Sequence, residues 1–141
     1  MRLILDTNIL LSALLSPLGA PAKLLDAWER KAFMLVVSDV LIAEFRGVAG
    51  RPFFRAKLRA SAAELLAAGL RDFSFYCRDL PSGPIAPDPK DSHLLALAEV
   101  SQAEFLVTGD KGLLSLRHHR STRIITPAAM IEVLKEAGSG K

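Results

Sequence analysis

The chain has 141 residues, half of them hydrophobic, and a formal charge of +3. That length fills one well-packed core and falls short of two ordinary domains. No apolar run reaches the roughly 18 residues that a membrane helix needs, and the first residues pass straight into strand-like sequence without a charged leader and cleavage site, so the expectation is a soluble, cytoplasmic protein with no membrane contact.

The first strand-like run, Leu3-Leu5, ends in Asp6, Thr7 and Asn8 before apolar residues resume at Ile9. A helix begins near Asn8, is broken by Pro17, Gly19 and Pro21, and gives way to a second helix carrying Leu24, Leu25 and Trp28. Phe33-Val37 is the second strand, and Ser38 is placed to cap a helix over Asp39-Ala49. Ser61 with Glu64 has the capping-box pattern for a helix over Ala62-Arg71. A third strand, Phe73-Cys77, holds the only cysteine, Cys77, read as a strand residue in a reducing compartment. The segment Pro81 to Pro87 is an intradomain loop. Asp88 then reads as the N-cap of a helix with Pro89 in its first position. Glu104-Thr108 and Thr122-Ile125 are the last strands, and Thr126 with Pro127 opens a final helix. The expected layout is one domain over 1–137 with a flexible C-terminal tail at 138–141.

Alternation of strand-like and helical segments points to an α/β fold. Three strands are continuously apolar, as expected of parallel strands covered on both faces, so the architecture is a three-layer α/β/α sandwich around a central parallel sheet.

Four acids sit at chemically suggestive positions. Asp6 and Asp110 each close a strand, and ligands of open parallel sheets gather at strand carboxyl ends. On a wheel of about 100° per residue Glu44 falls between Val40 and Val48, in a stripe shared with Leu41 and Phe45. Asp91 shares a face with Leu94, Leu95 and Ala98. Each has an ordinary reading: a cap or Asx turn for Asp6, an ion pair for Glu44, a cap for Asp91 and a surface turn for Asp110. If all four converge, their mutual repulsion calls for a hard divalent cation, and all-oxygen ligation suits Mg²⁺ or Mn²⁺ rather than zinc. His93, His118 and His119 have no spaced partner and stay outside this candidate site. Charge is uneven as well. No acid lies between Glu44 and Glu64, whereas Arg46, Arg51, Arg55, Lys57 and Arg59 do, and Arg117, His118, His119, Arg120 and Arg123 form a second basic group.

The motifs "LDTNILLSALL", "VVSDVLIAEF", "PDPKDSHLLALA" and "AEFLVTGDKGLLSL", in this order and spacing, resemble PIN-domain nucleases of the branch related to VapC-type toxins of toxin-antitoxin systems. The likeness runs from Met1 to the terminal helix. It implies strand order 3-2-1-4-5 and an acidic quartet of Asp6, Glu44, Asp91 and Asp110 that holds metal and carries catalysis, supported by Thr7, Asn8 and Thr108. It also implies a homodimer and a small cognate antitoxin. Relatives often carry a second acid two residues after the Asp110 equivalent; here that position is Gly112.

The resulting expectation is Mg²⁺- or Mn²⁺-dependent hydrolysis of phosphodiester bonds in single-stranded RNA, with Arg46, Arg51, Arg55 and Lys57 as backbone contacts. One alternative is a PIN-like module that binds RNA or protein without cutting. Another is a haloacid-dehalogenase-like phosphatase, whose chemistry wants an aspartate where Asn8 stands.

Overall fold

A computed structural model describes residues 1–139. Strand β1 (Arg2–Leu5) lies between β2 (Met34–Ser38) and β4 (Phe105–Val107), with β3 (Phe75–Cys77) outside β2 and β6 (Thr122–Ile125) outside β4. These five run parallel in the order β3-β2-β1-β4-β6. Since Thr122–Ile125 is the expected fifth strand, the implied order 3-2-1-4-5 holds. A two-residue strand, β5 (His118–His119), adds an antiparallel edge beside β6.

The sheet is covered on both faces because its strands demand it. Successive side chains of a strand point to opposite faces, and Leu3, Ile4 and Leu5 are all buried, as are Leu35, Val36 and Val37. Helices α1 (Thr7–Leu15), α2 (Ala20–Glu29), α3 (Asp39–Ala49), α4 (Pro52–Lys57), α5 (Ala60–Asp72), α6 (Ser92–Ser101), α7 (Lys111–Leu116) and α8 (Pro127–Ser139) supply the layers. Every residue from Leu94 to Ala98 in α6 is buried, so the middle of that helix is enclosed on all sides.

Local signals fix several boundaries. Ser38 Oγ accepts from the Leu41 N–H at 3.1 Å, and α3 has the expected limits. Thr126 Oγ1 accepts from the Ala129 N–H at the start of α8. The capping box at Ser61 and Glu64 does not form. Helix α5 begins at Ala60 with Arg59 at its N-cap and no side-chain cap, because only Leu58 and Arg59 separate it from α4 and the chain is helical before it reaches the serine. Helix α8 continues through Gly138 to Ser139, past the expected end at 137; the rest of the expected tail, Gly140 and Lys141, lies outside the described residues. Among the described residues no single helix is long and apolar enough to cross a membrane.

On one side of β1 the chain passes to β2 and on the other to β4, so the order reverses between β1 and β4. In open α/β sheets such a switch point leaves a crevice beyond the strand carboxyl ends. Asp6 immediately follows β1 there, and Thr108 to Asp110 follow β4.

Candidate metal centre

Asp6 serves two purposes at once. Its Oδ1 accepts from the Asn8 N–H at 3.1 Å, capping α1, and its Oδ2 accepts from Thr108 Oγ1 at 2.7 Å. The capping reading and the site reading of Asp6 are therefore compatible. The carboxylate is only 4% exposed. Burial pushes its pKa above the ordinary 3.8, the Thr108 and Asn8 hydrogen bonds pull the other way, and Glu44 and Asp110 add like-charge repulsion.

Asp110 is exposed and caps α7, its Oδ2 accepting from the Leu113 N–H at 2.8 Å. Its own N–H donates to Thr108 Oγ1 at 3.0 Å. Thr108 thus fastens the two strand-end acids to each other.

Glu44 stands at the margin of the stripe that buries α3 rather than within it. The wheel put Val40 in that stripe, but Val40 is 46% exposed; the buried residues are Leu41, Ile42, Phe45 and Ala49. Contact is centred on Leu41 and Phe45, which leaves Val40 outside and brings Glu44 to the rim. There Thr7 Oγ1 donates to Glu44 Oε1 at 2.6 Å, and His93 Nε2 lies 3.3 Å from Oε2. No arginine pairs with Glu44 among the described residues.

Asp91 ends a 3-10 turn (Pro89–Asp91) capped by Asp88 and stands at the N-cap of α6, where its side chain makes no capping hydrogen bond. Its carboxyl is raised from 3.8 to about 6, first by burial, then by repulsion from Asp6, Asp110, Asp88 and Glu44. That coupling brings all four candidate acids into one electrostatic site.

The donor set fits a hard divalent cation: four carboxylates, oxygen only, with no lysine or arginine ion-paired to any of them among the described residues. As the side chains stand, no group of three acidic, histidine or cysteine residues among the described residues forms a ready-made ion nest. An ion would therefore have to draw carboxylates inward against the repulsion it relieves.

The supporting residues divide. Thr7 and Thr108 act through their hydroxyls, whereas Asn8 is exposed and engages Asp6 through its backbone N–H. His93, set aside on sequence grounds, belongs here: it reaches Glu44, and its Nδ1 is buried without a hydrogen-bond partner. A lone histidine in an apolar helix carries no such signal, because its role depends on α3 lying against α6. Of the basic candidates, Arg46 and Arg55 line one groove, Lys57 lies over the Phe53 ring, and Arg51 caps α4 through its backbone. The second basic group is partly structural. His119 and Arg120 both meet Glu99, and Arg123 lies over Phe105.

An open parallel sheet with a cluster of coupled carboxylates at its switch point defines an α/β domain built around an acidic site. A family model for the PIN domain matches residues 2–112, and the chain belongs to the PIN-domain family, whose members are generally nucleases and typically use divalent metal ions. It is 27% identical over 117 residues to the uncharacterized protein MJ1680 of Methanocaldococcus jannaschii, covering 82% of this chain and 75% of that one. Its fold is similar to the crystal structure of FitAcB from Neisseria gonorrhoeae, with a TM-score of 0.51 and 18% identity over 89% of this chain and 97% of that one.

Proposed function

We propose that this protein is an Mg²⁺- or Mn²⁺-dependent ribonuclease that hydrolyses phosphodiester bonds of single-stranded RNA, acting in the cytoplasm as the toxin of a type II toxin-antitoxin pair. The observation that carries the chemistry is the gathering of Asp6, Glu44, Asp91 and Asp110 at the strand-end crevice, where Thr108 ties Asp6 to Asp110 and Thr7, next to Asp6, holds Glu44, with no lysine or arginine ion-paired to any of the four among the described residues. A bound divalent ion would activate water and offset charge developing on the phosphate. Asp6 and Asp110 would hold it, since each keeps acceptor capacity beyond its cap bond. Glu44, fixed by Thr7 and His93, and Asp91, whose side chain makes no cap bond, would complete the set or exchange protons with water at the site. Membership of the PIN family supports the nuclease chemistry, and the toxin role, a homodimer and a small antitoxin that covers the acids are what the resemblance to VapC-type toxins implies.

The test is cleavage of a labelled, unstructured RNA with Mn²⁺ or Mg²⁺, with chelator, and with Asp6→Asn. Cleavage should need the ion and fall at least about a hundredfold in the variant. The lack of a ready-made ion nest favours the second reading, a binding module that does not cut. Equal residual cleavage by wild type and Asp6→Asn would point to contamination and support it.

A further inference from the structure

We propose that α4 is a base-stacking platform for single-stranded nucleic acid, with Phe53 taking a base and Lys57 and an arginine groove on the other flank of the helix taking backbone phosphates. The sequence of α4, PFFRAK, sets two phenylalanines about 100° apart on a helix, and only one of them is turned to the core. Phe54 packs against the core, and Phe53 is left 58% exposed. The exposed ring is nonetheless held in place. It meets Phe54 edge-on, with centroids 5.0 Å apart at 83°, and Lys57 Nζ lies 5.2 Å from its centroid. A ring fixed in this way loses little freedom when a base stacks on it.

The same helix also opens, about 200° around from Phe53, on a groove of about 280 Å³ to which α3 contributes Arg46, α4 contributes Arg55, and the turn before α5 contributes Arg59. Glu64 is the acid on its wall, so three positive charges face one negative. None of these four side chains is in an ion pair among the described residues. An aromatic face with a lysine over it, on a helix that also carries uncompensated arginines, matches the way proteins hold single strands without reading their sequence: the bases stack and the phosphates pair. A protein partner would want apolar surface around the ring, and the exposed neighbours of Phe53 on α4 include Arg55 and Lys57.

The platform rests on the ribonuclease reading and adds a place for nucleotides away from the bond that is cut. Arg46 is two residues past Glu44, about 200° around α3. Groove and acids therefore flank a helix of about 10–12 Å diameter, and a strand held at both crosses it. Losing the platform should raise KM and spare kcat.

The test measures anisotropy of a labelled 12-mer oligouridylate with the full chain in excess chelator, so that binding is read without cleavage. Phe53→Ala should weaken binding by about 5- to 150-fold, and Phe53→Trp should keep it. An abasic strand of equal length should bind more weakly and ignore Phe53→Ala. Arg55→Gln should lower the salt slope by about 0.7. No binding by the wild type, unchanged binding in Phe53→Ala, or equal losses on both strands overturns the proposal and leaves the ring to a protein partner. Stacking without Mn²⁺-dependent cleavage sustains the platform while sinking the nuclease reading. Cleavage with unchanged KM in Phe53→Ala does the reverse.

Discussion

Thr108 holds Asp6 by a hydroxyl bond of 2.7 Å to Oδ2, across 102 residues of sequence. Thr108 Oγ1 also accepts the Asp110 N–H, so removing that hydroxyl disturbs both strand-end acids. Thr108→Val keeps the shape and deletes the bonds. Mn²⁺ affinity should fall by roughly 10- to 100-fold, and stability by about 1–3 kcal/mol, since Asp6 remains buried with one donor fewer. Thr108→Ser should recover most of both. Titration calorimetry with Mn²⁺ and urea melts check this; full Mn²⁺ affinity in the valine variant would disprove the link.

Asp91 makes metal-free stability depend on pH in an unusual direction. Its carboxyl is raised from 3.8 to about 6, so between those values the folded chain binds more protons than the unfolded one. Stability should then decline as pH rises through that window and level off above 6. The raised carboxyl of Asp6 contributes in the same direction. At pH 7, Asp91→Asn should be more stable than wild type by about 1 kcal/mol, a figure reduced to allow for solvent screening of a partly exposed group. It should also lose RNA cleavage. Thermal melts at pH 4.5 and 7 in chelator decide it, and a destabilised Asn variant at pH 7 would count against mutual repulsion.

Much of this architecture is legible in the sequence wherever both faces of an element are buried or a cap is local. Leu3 to Leu5, Val36 with Val37, and the Ser38 cap announce β1, β2 and α3 before any tertiary contact is known. Helix α4 has six residues and too few turns to show a period, and the two histidines of β5 carry no alternation. The four acids stand out because each interrupts an apolar pattern. Their partners do not, since Thr7 meets Glu44 across 37 residues and His93 meets it across 49. Val40 misleads for a related reason: helix periodicity gives the width of an apolar stripe, while the packing of neighbours decides where burial is centred.

Thr7 and His93 grip opposite oxygens of Glu44, at 2.6 and 3.3 Å. Removing either should free the carboxylate to rotate, and removing both should add little to the larger single effect because they restrain one group. The expected outcome is a roughly 10- to 100-fold fall in kcat for Thr7→Val, a comparable fall for His93→Ala, and partial recovery in His93→Gln. Single-turnover cleavage of RNA by the two single variants and the double variant measures the coupling. Strictly additive losses would mean that the two side chains act on different groups.

Gly112 occupies the position where relatives carry a further acid, and the space around it explains what an acid would do in this chain. A Cβ at Gly112 would stand 3.1 Å from Asp110 Oδ2 and 3.4 Å from Pro87 Cβ. The Asp110 oxygen is the one that accepts the Leu113 N–H, so its retreat stretches the bond that caps α7. Pro87, exposed on the other side, is at ordinary contact distance. Gly112→Asp should therefore weaken Mn²⁺ binding by displacing Asp110, and lose about 1 kcal/mol of stability with the cap. Gly112→Ala should show a milder form of both defects, which separates crowding from added charge. Calorimetric titration with Mn²⁺ reads the stoichiometry directly: a second ion bound, or a tighter first one, in Gly112→Asp would show that the site can take a fifth carboxylate and that the crowding is relieved by movement of Pro87 instead.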